Sequence, residues 1–210
     1  TDLQQVQNYG DMYILKVDES GDEIWSRIYE NGHGFSIQPT NDGGYIITGT
    51  RKGEDSWCCF EDFYIMKINE NGDSLWTNSF GGEHTDKSLS IQQTIDGGYV
   101  MFGWSKSKSN ISSGNYNYDS DYWMLKTDEN GDSLWSKNYG NLYGEISYDQ
   151  GYSIEPTTDG GYVITGEKSG YPLLIKTDEN GDSLWTQTFN IGGGRFGKDV
   201  HQTIDGGYIL

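Results

Sequence analysis

Four polar side chains occupy equivalent positions in a sequence that repeats along the chain: Gln38, Gln92, Glu155 and His201. A carboxylate and an imidazole are the groups that general acid–base catalysis uses most often. The ionisable members of this set would therefore carry the chemistry of an enzyme. The remaining histidines, His33 and His84, are not spaced to form a Ser-His-Asp triad or a metal cluster. We expect no catalytic residues, and a lyase or glycosidase that uses Glu155 and His201 is the alternative.

A second set combines aromatic and basic side chains in the segments between predicted strands. Its members are Arg51, Trp57, Phe60, Trp104, Tyr116, Tyr118, Tyr143 and Arg195. Aromatic rings beside polar groups can stack on sugars or hold a protein partner, although they could equally pack the loops down. This set favours a non-catalytic recognition or scaffold module that binds a glycan or a protein. A purely structural surface-layer or spacer repeat is a further alternative.

Acidic side chains alternate in four short turns, as in the segment 128–132. The weak candidates for calcium ligands are Asp18, Asp22, Asp128, Asp132, Asp178 and Asp182. An EF-hand loop needs glycine at its sixth position and glutamate at its twelfth, whereas glycine is fourth here. A hairpin turn explains the residues without a metal, so we expect no cofactor and keep calcium as the weaker alternative.

The elements that position these residues belong to a repeat of roughly fifty residues. A segment that begins at Tyr13 and ends at Trp25 recurs with its last residue at Trp76, Trp135 and Trp185. The motif Asp-Gly-Gly-Tyr recurs with its tyrosine at positions 45, 99, 162 and 208. Each structural prediction therefore applies to equivalent positions in every repeat.

Each repeat contains four short runs rich in β-branched and aromatic residues, which predict strands A, B, C and D. In the first full repeat these are residues 36–40, 44–49, 62–68 and 74–80. Glycines in Asp42-Gly43 and Asn71-Gly72 favour positive φ, so we expect two-residue hairpins for the A–B and C–D connections. Four antiparallel strands at this period predict an all-β chain, a β-propeller with about four blades.

Strand direction predicts where the two candidate sites lie. Because strands alternate in direction, the A–B and C–D turns share one face, and the longer B–C and D–A loops share the other. The aromatic and basic set lies on this loop face, where we expect binding. Strand A lines the channel of a propeller, so the four polar residues form a ring there, while Ile37, Ile91, Ile154 and Val200 face the packing. A water-filled structural channel and a small-ligand or ion site both fit this ring.

Residues 1–210 are expected to form one propeller or propeller fragment. Its parts are strands C and D of a split blade at 11–30, blades at 33–80, 84–139 and 148–189, and strands A and B of a split blade at 198–210. A four-blade ring, an eight-blade ring of two chains, and a piece of a longer chain all fit. We favour the last, because a chain that stops within a strand leaves a sheet edge unpaired.

Two motifs carry a family resemblance: Asp-Gly-Gly-Tyr, and Glu-Asn-Gly-Asp-Ser-Leu-Trp at 70–76. Together they resemble the repeats of secreted β-propeller proteins of Bacteroidetes-like bacteria, and more distantly the blades of quinoprotein-type propellers. The resemblance spans nearly the whole chain. It implies an extracellular or cell-surface location and an association with sorting domains, and it brings no shared catalytic motif. It does not imply a quinone, because the repeated tryptophans serve packing between blades.

Composition narrows the partners. The chain has 32 acidic and 14 basic residues and a net charge of −18, which argues against nucleic acid and anionic membrane surfaces. The sequence contains neither an apolar run of membrane-spanning length nor a signal peptide, so we expect a soluble, mature or trimmed segment without membrane insertion. The adjacent Cys58 and Cys59 fit free thiols, thiols with partners elsewhere, or a vicinal disulfide, and an extracellular setting would favour the disulfide.

Overall fold

The structure, a computed structural model, describes residues 10–52, 60–107, 120–140, 149–192 and 194–210. Sixteen strands, β1 to β16, lie within these ranges, and each pairs antiparallel with its neighbour in the sequence inside the same sheet. They form three four-stranded sheets and two two-stranded sheets. The prediction of an all-β chain of four-stranded antiparallel sheets is confirmed.

The strand bounds follow the repeat. The first full sheet contains β3 (Gly32–Pro39), β4 (Tyr45–Lys52), β5 (Glu61–Ile68) and β6 (Ser74–Phe80). The second contains β7 (Asp86–Gln93), β8 (Tyr99–Ser105), β9 (Asp121–Thr127) and β10 (Ser133–Asn138). The third contains β11 (Asp149–Pro156), β12 (Tyr162–Lys168), β13 (Tyr171–Thr177) and β14 (Ser183–Thr188). The half sheets are β1 (Met12–Val17) with β2 (Glu23–Tyr29), and β15 (His201–Gln202) with β16 (Tyr208–Ile209).

Consecutive sheets pack face to face in chain order. Ile46 and Ile65 of the first sheet share a core with Ile91 and Met101 of the second. Equivalent cores join the second sheet to the third, and each half sheet to the full sheet beside it. The first strands also approach one another, since β3 contacts β7 and β7 contacts β11. The middle strands are therefore covered on both faces, which explains their continuous apolar runs.

Repeated aromatic pairs join each sheet to the next. In each repeat, the tryptophan of strand D packs against the tyrosine that opens strand B of the next sheet. Ring centroids are separated by 6.3 Å in Trp25–Tyr45, 5.9 Å in Trp76–Tyr99, 6.4 Å in Trp135–Tyr162 and 5.8 Å in Trp185–Tyr208. These are favourable distances for tilted and edge-to-face aromatic contacts. The repeated tryptophans thus serve packing between sheets.

The turns differ from the predicted two-residue hairpins. In the turn between β5 and β6, the amide of Gly72 donates to Asn69 O at 3.1 Å, and the amide of Asn69 donates to Asp73 O at 3.0 Å. Gly72 has a φ of 80°, whereas Asn71 is not among the residues with positive φ. This is a longer turn that ends in a left-handed glycine, and it produces the register shift between Lys67 and Ile68.

The predicted alternation along the first strands holds at three of four positions. Ile91, Ile154 and Val200 are at most 1% exposed, but Ile37 is 44% exposed. The difference has a structural reason. Ile91 packs against Ile46 of the preceding sheet, whereas the sheet that precedes Ile37 is the two-stranded β1–β2, which contains no equivalent of Ile46 among the described residues.

Candidate functional site

A polar cleft of about 590 Å³ opens where the first strands of the three full sheets turn into the second strands. Its volume lies within the usual range for small-ligand sites. The lining residues are Gln38, Pro39, Asn41, Gln92, Gln93, Thr94, Ile95, Pro156, Thr157, Thr158, Gly160 and Tyr162. Eight of these twelve residues carry an amide or a hydroxyl group, and none of the side chains is formally charged. The cleft lies on the face of the A–B turns, opposite the predicted loop face.

Each A–B turn around the cleft is held by one aspartate. In the second sheet, Asp96 accepts hydrogen bonds from the hydroxyl of Thr94 at 2.5 Å and from the amide of Gly98 at 3.1 Å. The ammonium of Lys126 on β9 reaches the same carboxylate at 2.8 Å. Asp42 with Lys67, and Asp159 with Lys176, repeat this arrangement in the other full sheets. The turns that frame the cleft are therefore rigidly connected to the middle of each sheet.

The lysines are buried and their partners are not. The side chains of Lys67, Lys126 and Lys176 are 4%, 5% and 4% exposed, whereas the paired carboxylates are 58–59% exposed. Partial burial raises the pKa of Asp96, but hydrogen bonds from Lys126 and Thr94 outweigh it and lower the pKa to about 2. Hydrogen bonds from Thr157 and Lys176 lower the pKa of Asp159 to about 2. The same contacts lower the pKa of Asp42.

The cleft opens where one bridge between neighbouring turns is missing. Gln93 accepts a hydrogen bond from the amide of Asn41, in the turn of the preceding sheet, at 2.9 Å. Gln202 accepts from the amide of Thr158 in the same way, at 2.9 Å. The equivalent residue of β11 is Pro156, which has no amide side chain to reach the turn at Ile95. The turns of the second and third sheets thus lack this bridge, and the cleft opens at this gap and extends to Gln38 and Asn41 of the first sheet.

The structure places the predicted polar ring on the exposed side of the first strands. Gln38 and Gln92 are half-buried, and both line the cleft. Glu155 is half-buried, and its carboxylate lies 3.0 Å from Nδ1 of His201. The other imidazole nitrogen lies 3.2 Å from Asp199. The four residues are therefore brought together as two neighbouring pairs, one of amides and one of ionisable groups.

Asp199 joins the ionisable pair to strand β11. The hydroxyl of Ser153 donates to Asp199 at 2.7 Å, and the amide of Val200 donates to the same oxygen at 2.9 Å. Partial burial raises the pKa of Asp199, but these bonds and the nearby His201 outweigh it, so the pKa is lowered. Both nitrogens of His201 thus face carboxylates, Glu155 on one side and Asp199 on the other.

Half of the predicted loop-face residues lie in the described part of the chain. Arg51 lies over the ring of Tyr64 at 5.5 Å, and Phe60 packs edge-on against His84 at 5.5 Å. Trp104 is 8% exposed. The guanidinium of the exposed Arg195 donates to Ile191 O. Trp57, Tyr116, Tyr118 and Tyr143 lie outside the described residues, as do Cys58 and Cys59. Ligand contact by this set stays a prediction.

The acidic C–D turns use their first side chain to hold the backbone. Asp128 accepts from the amide of Asn130 at 2.9 Å and from the amide of Asp132 at 2.8 Å. Asp18 and Asp178 accept equivalent bonds from their own turns. Within the described residues, no group of three or more His, Cys, Asp or Glu side chains is arranged to hold a metal ion. Calcium binding at these turns stays a prediction.

Sequence reasoning missed the cleft and the lysine–aspartate pairs, although both have a sequence signal. Strand C of each repeat has a lysine at the equivalent position, and each A–B turn contains an aspartate. The bridge position alternates between proline and glutamine, at Pro39, Gln93, Pro156 and Gln202. The proline at position 156 marks the junction of the second and third sheets, at which the cleft opens.

The fold and the cleft define an all-β protein of repeated four-stranded antiparallel sheets. A solved structure of a protein of unknown function from Bacteroides caccae is similar to it, with a TM-score of 0.57 and 11% sequence identity. The similarity covers 90% of this chain, which spans 56% of that protein's chain. At this identity the likeness shows the fold alone. No protein-family description matches the chain, and no curated protein matches it.

A search of the described residues for a helix long and apolar enough to cross a membrane finds none.

Proposed function

We propose that this chain is a β-propeller array that acts as a non-catalytic recognition module, outside the cell or at its surface, and binds a neutral glycan in the cleft. The observation that carries the proposal is the uncharged, amide-rich and hydroxyl-rich lining of a 590 Å³ cleft. The extracellular location is what the resemblance of the repeat motifs to those of secreted propeller proteins implies.

The order of the sheets supports the propeller arrangement. Each sheet contains four consecutive strands, and its core is shared with the next sheet in the chain. Contacts between neighbouring first strands bring β3, β7 and β11 together. Sheets that meet at their first strands and pack in sequence would radiate from a common axis, as propeller blades do. The cleft would then lie at the mouth of the central channel.

The chemistry of the lining supports a sugar ligand. Glutamine and asparagine side chains offer both donors and acceptors, which suit hydroxyl groups that also donate and accept. Gln38 and Gln92 supply such groups from two neighbouring strands. The exposed Pro156 and the fully exposed Ile95 add apolar surface for the C–H face of a sugar ring. Because the chain has a net charge of −18, an acidic glycan would be repelled and a neutral one would not.

A panel of neutral and acidic oligosaccharides, titrated by calorimetry, tests the proposal. We expect binding of neutral members, and a roughly tenfold or greater loss of affinity in Gln38→Ala and in Gln92→Ala, because each variant leaves a sugar hydroxyl unpaired. The matched controls are Arg51→Ala and Arg195→Ala, which change the loop face and are expected to keep wild-type affinity.

Other outcomes separate the alternatives. Binding that is lost in the loop-face variants and kept in the glutamine variants would move the site to the opposite face. Cleavage of an oligosaccharide that disappears in Glu155→Gln would contradict the non-catalytic role. Absence of binding to every neutral glycan would overturn the glycan proposal.

A further inference from the structure

The polar side chains that line the cleft fall into two groups, those that hold the turns and those that are available to a ligand. Both ends of the Gln93 side chain are engaged, since its oxygen accepts from the amide of Asn41 at 2.9 Å and its nitrogen donates to Gly97 O at 3.3 Å. Thr94 and Thr157 each donate a hydroxyl hydrogen bond to the aspartate of their own turn. These side chains are therefore occupied within the protein.

The available group consists mostly of carboxamides. The lining residues that reach solvent and whose polar side chains make no hydrogen bond to any described residue are Gln38, Asn41, Gln92 and Thr158. Tyr162 also lines the cleft, but it is 4% exposed and offers a ligand little surface. A ligand in the cleft therefore meets the carboxamides of two glutamines and one asparagine, and one hydroxyl.

The available groups differ between the two sides of the cleft. The carboxamides belong to the first and second sheets, with Gln38 on β3, Asn41 in the turn after β3, and Gln92 on β7. Strands β3 and β7 are in contact, and the two glutamines occupy equivalent positions on them. The third sheet contributes the hydroxyl of Thr158 and the apolar ring of Pro156. The cleft thus has a carboxamide side and a side that is mainly apolar.

A carboxamide separates donors from acceptors more strictly than a hydroxyl does. Its oxygen only accepts and its nitrogen only donates, whereas a hydroxyl group rotates and can do either. A secondary amide in a ligand has the same fixed division, with one N–H donor and one C=O acceptor. In the trans form these two groups point in opposite directions, so two separate side chains are needed to bind both. Gln38 and Gln92, on neighbouring strands, can accept from the N–H and donate to the C=O of one such amide.

Exposed apolar surface completes the lining. Ile95, in the turn of the second sheet, is fully exposed, and Pro156, at the end of β11, is exposed as well. A methyl group attached to the ligand's amide would remove part of this surface from water, which is favourable. An acetamido group combines the amide with the methyl group. It is also neutral, so the net charge of −18 does not repel it as it would repel a carboxylate.

We propose that the glycan bound in the cleft contains N-acetylated amino sugars. The acetamido N–H and C=O are bound by Gln38 and Gln92, and the acetamido methyl group packs against Ile95 and Pro156. The inference rests on the proposed glycan binding and adds to it the class of sugar.

The two sides of the cleft then have different roles. The carboxamide side recognises the acetamido group, which a plain glucose unit lacks. Thr158 is left to the ring hydroxyls, which acetylated and plain sugars share. Loss of a glutamine should therefore change the preference between the two sugars, whereas loss of the Thr158 hydroxyl should weaken both to a similar extent.

Calorimetry with two β-linked tetrasaccharides of the same linkage, one of N-acetylglucosamine and one of glucose, tests the inference. We expect the acetylated tetramer to bind roughly tenfold or more tightly, because it gains two hydrogen bonds and an apolar contact. Gln38→Leu and Gln92→Leu should each bring the ratio of the two affinities toward one. Thr158→Ala should lower both affinities and keep the ratio. The matched control is Gln187→Leu, which removes an exposed carboxamide from the outer strand β14 and should change neither affinity.

The outcomes separate this inference from the proposed function. Equal affinity for the two tetramers, or a preference for the acetylated one that survives in both glutamine variants, would overturn the inference and leave glycan binding intact. Absence of binding to every neutral glycan would overturn both. Measurable affinity of the glutamine variants for the glucose tetramer shows that their cleft is still folded, so a change in the ratio is not a consequence of misfolding.

Discussion

Replacing Asp96 with alanine is expected to destabilise the fold by about 2–4 kcal/mol, because Lys126 then keeps a buried charge without its anion. The side chain of Lys126 is 5% exposed, and its other hydrogen bond is to Thr127 O at 3.0 Å. Loss of the Asp96 carboxylate is therefore expected to cost more stability than the loss of a surface ion pair.

The expected loss in the free energy of unfolding combines two effects. Removing one partner of a buried ion pair costs about 3–5 kcal/mol. The carboxylate of Asp96 is 58% exposed, so water already weakens the pair and the lower part of that range applies. The bonds from Thr94 and Gly98, about 0.5–1.5 kcal/mol each, are made to the same carboxylate, and their loss is already included in this cost of about 2–4 kcal/mol. For a chain of this size, about 3 kcal/mol corresponds to a fall in Tm of about 6–12 °C.

Urea unfolding followed by circular dichroism measures the difference in free energy. Asp132→Ala removes an exposed carboxylate from another turn of the same sheet and is the matched control. Lys126→Met is expected to change stability by about 1 kcal/mol or less, because an apolar side chain of similar length fills the same space. The double variant Asp96→Ala/Lys126→Met should be more stable than Asp96→Ala. Equal losses in Asp96→Ala and Asp132→Ala would refute this reasoning.

Three further predictions concern the lysine–aspartate pairs, the tryptophan contact at Gly131 and the missing bridge at Pro156. The low pKa values of Asp96 and Asp159, both about 2, contribute stability that is complete above pH about 4 and is lost as the pH falls toward 2, since the unfolded chain binds the protons more tightly. The urea midpoint should therefore fall over this window, and a flat midpoint would contradict the role of the pairs. Gly131→Ala should destabilise by about 1–3 kcal/mol more than Gly160→Ala, because both glycines have positive φ but only at Gly131 would a Cβ lie 2.5 Å from Trp76; equal thermal midpoints would count against the tryptophan contact. Pro156→Gln should provide the missing bridge to the turn at Ile95, narrow the cleft and weaken glycan binding in calorimetry, and unchanged affinity would show that the gap does not matter.

The strands were predictable because short apolar runs and glycine turns recur at one period. Residues 74–80 were expected as a strand and form β6 over the same residues. The geometry of the turns was harder to predict, since Asn71-Gly72 fits a two-residue hairpin by sequence alone. The side chain of Asn69 accepts hydrogen bonds from the amides of Asn71 and Asp73 and so stabilises the longer turn.

The candidate site was only partly predictable. Alternation along the first strands predicted that Gln38 and Gln92 point away from the sheet packing, and both residues line the cleft. The position of the cleft depends on which neighbouring turns are bridged, a relation between residues of different sheets. The role of Pro156 becomes clear only by comparison with Gln93 and Gln202, because these glutamines bridge neighbouring turns and the proline cannot.

Amide chemical-shift mapping during titration with a neutral oligosaccharide from the panel is the most direct test of glycan binding in the cleft. We expect shifts concentrated in the A–B turn segments 38–45, 92–99 and 156–162, with little change around Arg51 and Arg195. Shifts confined to the loop face, or no shifts with any neutral oligosaccharide, would contradict it.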